Sequence, residues 1–533
     1  MTTTPTQGEF PPHEAVFSTR GVASSAYPYA TQAALEILAR GGSAVDAAIG
    51  AGAVLTVLMP TAGALGGDCF FQVSGPDGSI SAVNGSGAAP AGATFDRYQE
   101  IGEIPDTGWL ASSVPGMVDG WRVAHERWGH LEWGTLFEAA IRYADEGFPV
   151  SPSLSQRFAN QADRLRAFPE TARIFFPSGP GPQPGEMLHQ PDLANTLLTL
   201  ADEGPECFYY GKIGAAIAES SARNGGVMTA DDLASHTTPT PRSLRIPYRE
   251  AYVHGQPPVS QGIVLLMALG ALDEFDLADH GPGSANTVHL QVEAIKQGFA
   301  DRMQHLGDPD QVDVPVERMI SARESKRRAS RIDLHSRSDA LLPSSSPDTT
   351  SLVTADSEGR VVAYIHSLYA GSGVTAHGTG IMMNNRLQGF DLDPNSPNCL
   401  APGKRPVHTL NTAIVTRGDD IYAICTPGAN LQVQHNLQVI TNLIDFKLDM
   451  QEAIDAPRWS MGDQMRIGDD ELLLESRFGE DVLEDLTGRG HNVRTRPGWA
   501  VGGGIQVAHV NRHTGILSAA RDPRRASNLA SGL

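Results

Sequence analysis

The stretch that most constrains this chain is Asp348-Thr349-Thr350-Ser351-Leu352-Val353-Thr354-Ala355-Asp356. A Ser/Pro-rich connector, Leu342-Pro343-Ser344-Ser345-Ser346-Pro347, leads into it. A second run of β-branched and apolar residues, Val361-Val362-Ala363-Tyr364-Ile365, follows a Ser357-Glu358-Gly359-Arg360 turn. Two such runs about one turn signal predict a hairpin. A flexible lead, a threonine and then a rigid hairpin suit a chain that cuts itself. The connector lets a peptide bond reach its own nucleophile, and the strand then holds the freed threonine in place. Spacing alone is weak support, because most Thr-rich strand starts are nothing more.

Composition limits the alternatives. At 533 residues, length alone suggests two or more domains, and 56 Gly with 36 Pro imply many tight turns. A formal charge of −21 disfavours nucleic acid and anionic membrane as partners. The first residues, Met1 to Phe10, show neither a basic nor an apolar leader region. The four cysteines, Cys69, Cys207, Cys399 and Cys425, form no C-x-x-C pair. Free thiols in a reducing cytoplasm are therefore expected. Residues 47–67 carry no charge and are long enough to span a bilayer. They are rich in Gly and Ala and contain Thr56, Pro60 and Thr61, so a buried helix ending at Pro60 is expected instead, with no membrane span. No H-x-x-x-H, H-E-x-x-H or paired-Cys spacing suggests a metal. Gly502-Gly503-Gly504 does not form a dinucleotide fingerprint, so no cofactor is expected.

Along the chain, periodicity predicts helices over 25–59 and a hairpin about Gly75-Pro76-Asp77-Gly78. Residues 117–240 read as mostly helical, and 284–305 as a half-exposed amphipathic helix. Strands are expected over 406–426, a helix over about 431–455, and a last hairpin including Ile505-Gln506-Val507.

The landmarks run almost end to end. They include Gly41-Gly42-Ser43-Ala44-Val45-Asp46, Leu65-Gly66-Gly67-Asp68, Val114-Pro115-Gly116 and Gln256-Pro257-Pro258-Val259-Ser260-Gln261-Gly262. Ala300-Asp301-Arg302, Leu306-Gly307-Asp308-Pro309-Asp310, Gly403-Lys404-Arg405-Pro406, Thr426-Pro427-Gly428 and Ala456-Pro457-Arg458 continue the series. With Thr349, the Asp356-to-Gly359 turn and Ser367, this pattern resembles the γ-glutamyltranspeptidase family of N-terminal-nucleophile hydrolases.

The resemblance implies an α+β fold, a four-layer αββα sandwich built as one domain from two autoprocessed subunits. Residues 1–348 would form the large subunit, with 342–348 as its connector, and 349–533 the small one. The two would pair as an αβ heterodimer, with a dimer of such pairs left open, acting on a small-molecule substrate. Cleavage between Asp348 and Thr349 would free an α-amine with an ordinary pKa of about 7.7–8.0, able to take the Thr349 hydroxyl proton. Ser367 would hydrogen-bond the nucleophile. Gly428 and Ala429 would supply oxyanion donors, if the backbone at 429 tolerates a Cβ.

The family's glutamyl-binding residues are not all present. Its Arg ahead of an Ala-Pro pair falls on Ser86, its Ser-Ser pair on His408-Thr409, its Asp on Gly389, and its Asn or Glu on Tyr369. Arg386, in Asn385-Arg386, is a new cation. The pattern is similar to the oxamate-amidohydrolase branch. It implies a short pocket in which Tyr369, Asn385, Arg386, His408 and Thr409 meet a carboxylate without an α-ammonium, and an acyl bond, amide or activated C–C, that breaks. A γ-glutamyltransferase or glutathione hydrolase with a rebuilt pocket, a broad acylase, and a scaffold that keeps only the fold are the competing readings.

Overall fold

The computed structural model describes residues 13–340, 342, 348–462 and 470–533. Two antiparallel sheets organise the chain. One has six strands in the order Leu529–Gly532, Gly21–Ser25, Asp348–Asp356, Val361–Tyr369, Asp68–Ser74, Ile80–Gly85. The other has seven, in the order Val16–Ser18, Ile516–Arg521, Gln506–Asn511, Asp420–Cys425, Thr412–Arg417, Ala251–Gly255, Leu244–Tyr248. The predicted hairpin forms and occupies the centre of the six-stranded sheet.

Side chains on a strand alternate between faces, and the two central strands use both faces for packing. Val353, Ala355, Val361 and Ala363 point toward the seven-stranded sheet and meet Ile414, Ala423, Ala508 and Ala519 there. Leu352, Val362 and Tyr364 point the other way, onto the helices Pro28–Ala39, Ala44–Leu58 and Met117–Trp128. The far face of the seven-stranded sheet carries Val253, Val415, Ile424 and Val507 against the helices Gly262–Leu272, Ala285–His305 and Leu431–Ile444. The mostly small side chains between the sheets allow close approach, so both are buried on two faces.

The helix Ala44–Leu58 shows how the sequence builds this. Ser43 accepts from Asp46 N while the Asp46 carboxylate accepts from Ser43 N, a reciprocal cap on the first turn. All fifteen residues are buried, and a Cβ on Gly52 would stand 3.0 Å from the Tyr364 ring. Pro60, which cannot continue a helix, follows its end. The uncharged stretch is thus a core helix, and no described helix is long and apolar enough to cross a membrane. Asp356 ties this helix to the hairpin: it accepts from Ala44 N at 2.8 Å, from Arg360 N at 3.1 Å and from Arg360 Nη1 at 2.7 Å. Gly359, at φ 84°, makes the turn between.

Two expectations change. The helix Ala285–His305 is largely buried rather than half-exposed, because its polar groups pair inside: Lys296 Nζ donates to Glu293 Oε1 at 2.9 Å, and His289 Nδ1 lies 2.8 Å from His491 Nε2. The single helix expected over 431–455 is two, Leu431–Ile444 and Met450–Asp455, the second begun by an Asp449–Glu452 cap. All four cysteines are free thiols, three of them buried.

Candidate active site

Thr349 lies at the start of its strand, directly across from Ser367. Its Oγ1 donates to Ser367 Oγ at 3.2 Å, and Tyr369 N donates to the same oxygen at 2.8 Å. Both hydroxyls are buried, Thr349 to 5% exposure. The register slips between Ser367 and Tyr369, a bulge that ends the ladder beside the nucleophile and leaves Tyr369 at φ 70°. A bulky residue rarely adopts that conformation, and bulges of this kind re-aim side chains next to active sites.

The strand Asp420–Cys425 runs over the hairpin, Cys425 Sγ donating to Leu352 O at 3.3 Å. It carries the chain toward the Thr349–Ser367 end, where Thr426-Pro427-Gly428-Ala429 turns into the helix Leu431–Ile444. Gly428 has φ 130° and Ala429 φ 53°, so the backbone does hold a Cβ in the left-handed region. Among the described residues, neither Gly428 N nor Ala429 N donates to an acceptor. Both are offered at a helix N-terminus, where the helix dipole favours negative charge. Gln261, fully buried, clamps the turn: its Nε2 donates to Ala429 O at 2.9 Å and to Thr409 O at 2.8 Å.

Beneath Tyr369 lies a buried ionic group. Asp68, paired in register with Ser367, accepts from Gly87 N at 3.0 Å, from Arg386 Nε at 3.0 Å and from His408 Nε2 at 3.2 Å. Burial raises the Asp68 carboxyl, but His408 and Arg386 outweigh it and hold the acid below its ordinary value. Burial, and then the Arg386 charge, bring His408 down to about 4, so it is neutral near pH 7 with its proton on Nε2. Burial also lowers Arg386, whose Nη1 and Nη2 have no partner.

The sequence reading put Asn385, Arg386, His408, Thr409 and Tyr369 at the substrate. The structure separates them. Tyr369 and Thr409 line a cavity of about 220 Å³ together with Gly389, Phe390, Val407 and Arg302. Arg386 and His408 are fully buried behind it, the Arg386 guanidinium 4.9 Å from the Tyr369 ring centre. Asn385 is spent on the scaffold, donating to Asp106 O and Oδ1 at 3.0 Å and accepting from Ala370 N at 2.9 Å. Neither position that lost the family's charge has regained one. The Ser86 hydroxyl is turned onto Asn84 Oδ1 at 2.5 Å, and a Cβ on Gly389 would meet Val407 O at 3.1 Å. Larger cavities, of about 630 and 700 Å³, hold none of these residues.

Asp68, Gln261 and Arg302, which the structure places against the candidate site, were not singled out in the sequence. Each sits in a landmark motif, but its partners lie so far along the chain that only folding reveals them. Among the described residues no cluster of His, Cys, Asp and Glu could hold a metal ion. What remains is a hydroxyl pair, two free backbone donors and a small half-apolar cavity. These are the parts needed for attack on a carbonyl.

Comparison with known proteins gives one consistent result. The family model for gamma-glutamyltranspeptidase matches residues 30–532. The chain is 35% identical over 521 residues to the oxamate amidohydrolase proenzyme of Klebsiella pneumoniae, covering 96% of this chain and 98% of that one. It is 32% identical over 540 residues to the glutathione hydrolase proenzyme of Escherichia coli, covering 96% and 92%. The crystal structure of a cephalosporin acylase from Bacillus halodurans superposes with a TM-score of 0.92 at 33% identity, over 100% of this chain and 99% of that one.

Proposed function

The chain belongs to the gamma-glutamyltranspeptidase family of hydrolases, and from that premise we propose that Thr349 is its nucleophile, released by self-cleavage. Thr349 Oγ attacks the Asp348 carbonyl, the peptide bond shifts to an ester, and water opens it. The products are chains of 348 and 185 residues that stay paired, possessing the four-layer αββα order that the two sheets and their flanking helices support. The freed α-amine then takes the Oγ proton for the next attack. Thr349 Oγ adds to the substrate carbonyl while Gly428 N and Ala429 N receive the oxyanion. The bond to the leaving group breaks, and that group takes the proton held on the α-amine. Water, deprotonated by the same amine, then opens the ester to release the acid and restore Thr349. The observation that carries this reading is the Thr349–Ser367 contact of 3.2 Å, with Tyr369 N donating to Ser367 Oγ. Together the two donors fix Ser367 Oγ against the Thr349 hydroxyl and so hold the attacking oxygen in one orientation.

The substrate is a small carboxylate-bearing amide, or an activated C–C analogue, of oxamate or 2-oxo-acyl type. The small cavity and the emptied Ser86 and Gly389 positions support that size and charge. A second reading, a glutathione hydrolase or acylase with a rebuilt pocket, draws on Asp391. This acid lines the same cavity and would meet an ammonium if it turned away from its bonds to Ser396 Oγ and Asp393 N. Unpaired thiols agree with a cytoplasmic location.

Turnover of oxamate and of γ-glutamyl-p-nitroanilide by the purified protein separates the readings. Ammonia from oxamate with no anilide cleavage supports the short-acid pocket. Anilide cleavage alone moves the assignment to glutamyl chemistry.

A further inference from the structure

A buried or half-buried guanidinium in this protein generally faces a carboxylate. Arg328 donates to Asp301 at 2.8 Å, Arg524 to Glu475 at 2.7 Å and Arg386 to Asp68 at 3.0 Å. Arg302 is different. It sits in the last turn of the helix Ala285–His305, part-buried in the wall of the cavity beside Tyr369 and Thr409. Among the described residues no carboxylate lies within ion-pair distance of it. Its neighbour Asp301 is already taken by Arg328. The Arg302 Nε has no partner, and its one hydrogen bond is a long 3.4 Å contact from Nη1 to Asn430 Oδ1. Burial without a compensating anion brings the group down to about 10.

An uncompensated cation facing a small cavity is costly unless something charged fills the cavity. The one acid in the wall, Asp391, is turned into its own loop, where it accepts from Ser396 Oγ at 2.6 Å and from Asp393 N at 3.2 Å. The position of the cavity relates Arg302 to the chemistry. Tyr369, in its wall, donates to the Ser367 hydroxyl that pairs with Thr349. Asn430, which touches Arg302, follows the Ala429 donor directly, and Gln261 joins Ala429 to the cavity residue Thr409. A carboxylate held on Arg302 would therefore extend an acyl group toward the space between the nucleophile and the turn.

We propose that Arg302, rather than Arg386, is the specificity-determining cation that takes the substrate's carboxylate. This rests on the reading of the cavity as the acyl pocket of a Thr349 hydrolase. A guanidinium suits the task because its two N–H edges match a carboxylate in a planar pair.

The test compares each acid with its neutral amide: oxamate with oxamide, and γ-glutamyl-p-nitroanilide with its α-carboxamide. Arg302→Gln should lower the acid-over-amide preference in kcat/KM by about 10²–10³-fold, as expected when one partner of a desolvated charge pair is removed. Turnover of the neutral member should stay within about threefold. Intact mass shows whether the variant has still cut itself into two chains. If it has not, Arg302→Lys carries the test, with KM rising about tenfold for the acid alone because one point charge replaces the fork. Equal losses on both members, or no loss on either, would overturn the assignment. The comparison holds for whichever acyl group the wild type accepts, so a protein that ignores oxamate refutes the short-acid reading without touching Arg302.

Discussion

Gln261→Leu tests whether the Gly428–Ala429 turn is held ready or is merely present. The side chain is fully buried and donates from one amide nitrogen to Ala429 O and Thr409 O. Leucine keeps most of the volume and removes both bonds. Ala429 O retains the Gln432 N donor at 3.2 Å, so the new unsatisfied group is Thr409 O alone. One buried acceptor left without its donor costs about 1–3 kcal/mol of stability. Ala429 stands at φ 53°, a left-handed geometry that costs an L-residue about 1–2 kcal/mol and that the clamp holds in place. Released, the turn relaxes and Ala429 N swings off the oxyanion. Loss of one such donor lowers kcat by about 10²–10³-fold. Steady-state kinetics and urea unfolding on the same preparation separate the two effects. A kcat within threefold of wild type, beside the expected stability loss, would show that Gln261 supports packing only and that the turn needs no clamp.

Other outcomes follow from the same geometry. Ser367→Ala should lower kcat by about 10²-fold while Ser367→Thr restores most of it, since only the hydroxyl positions the Thr349 proton; equal rates in both variants would remove Ser367 from the mechanism. Ala429→Gly relieves the left-handed strain but adds backbone entropy to the unfolded chain, so stability should stay within about 1 kcal/mol and kcat should not change. A tenfold kcat loss would show instead that the methyl group positions the turn. Burial holds His366 down to about 3, and burial with the Arg386 charge holds His408 at about 4, against an ordinary value of about 6.5. Both are neutral in the fold at pH 7, and as pH falls the unfolded chain takes up their protons first. Stability should therefore be level above about pH 6.5 and fall by several kcal/mol toward pH 4, read from urea midpoints; a flat profile over that range would show that the two imidazoles are not buried uncharged.

The hairpin about Thr349 was legible because strand period and turn chemistry are local, and its partner Ser367 lies only eighteen positions away. Gly428 and Ala429 were legible by resemblance, but their φ values were not. Arg386 lies behind the cavity rather than in its wall for a physical reason. Arg386 stands in sequence beside the pocket residues, and nothing in a sequence says which side of the Tyr369 ring its guanidinium will occupy. The bulge after Ser367 interrupts the two-residue alternation there, so Tyr369 cannot be assigned to a face by counting from Thr349. Arg302 belongs to a helix read as half-exposed, where an arginine in the last turn looks like a solvated cap. Only the packing of that helix beside the Asn430 turn brings it to the cavity.

The most direct test of the account is the intact mass of the purified protein and of its Thr349→Ala variant. The account predicts two chains of 348 and 185 residues for the wild type, the shorter opening on Thr349, and a single chain of 533 residues for the variant. A variant still split at that bond, or an uncut wild type with full hydrolase activity, would contradict it.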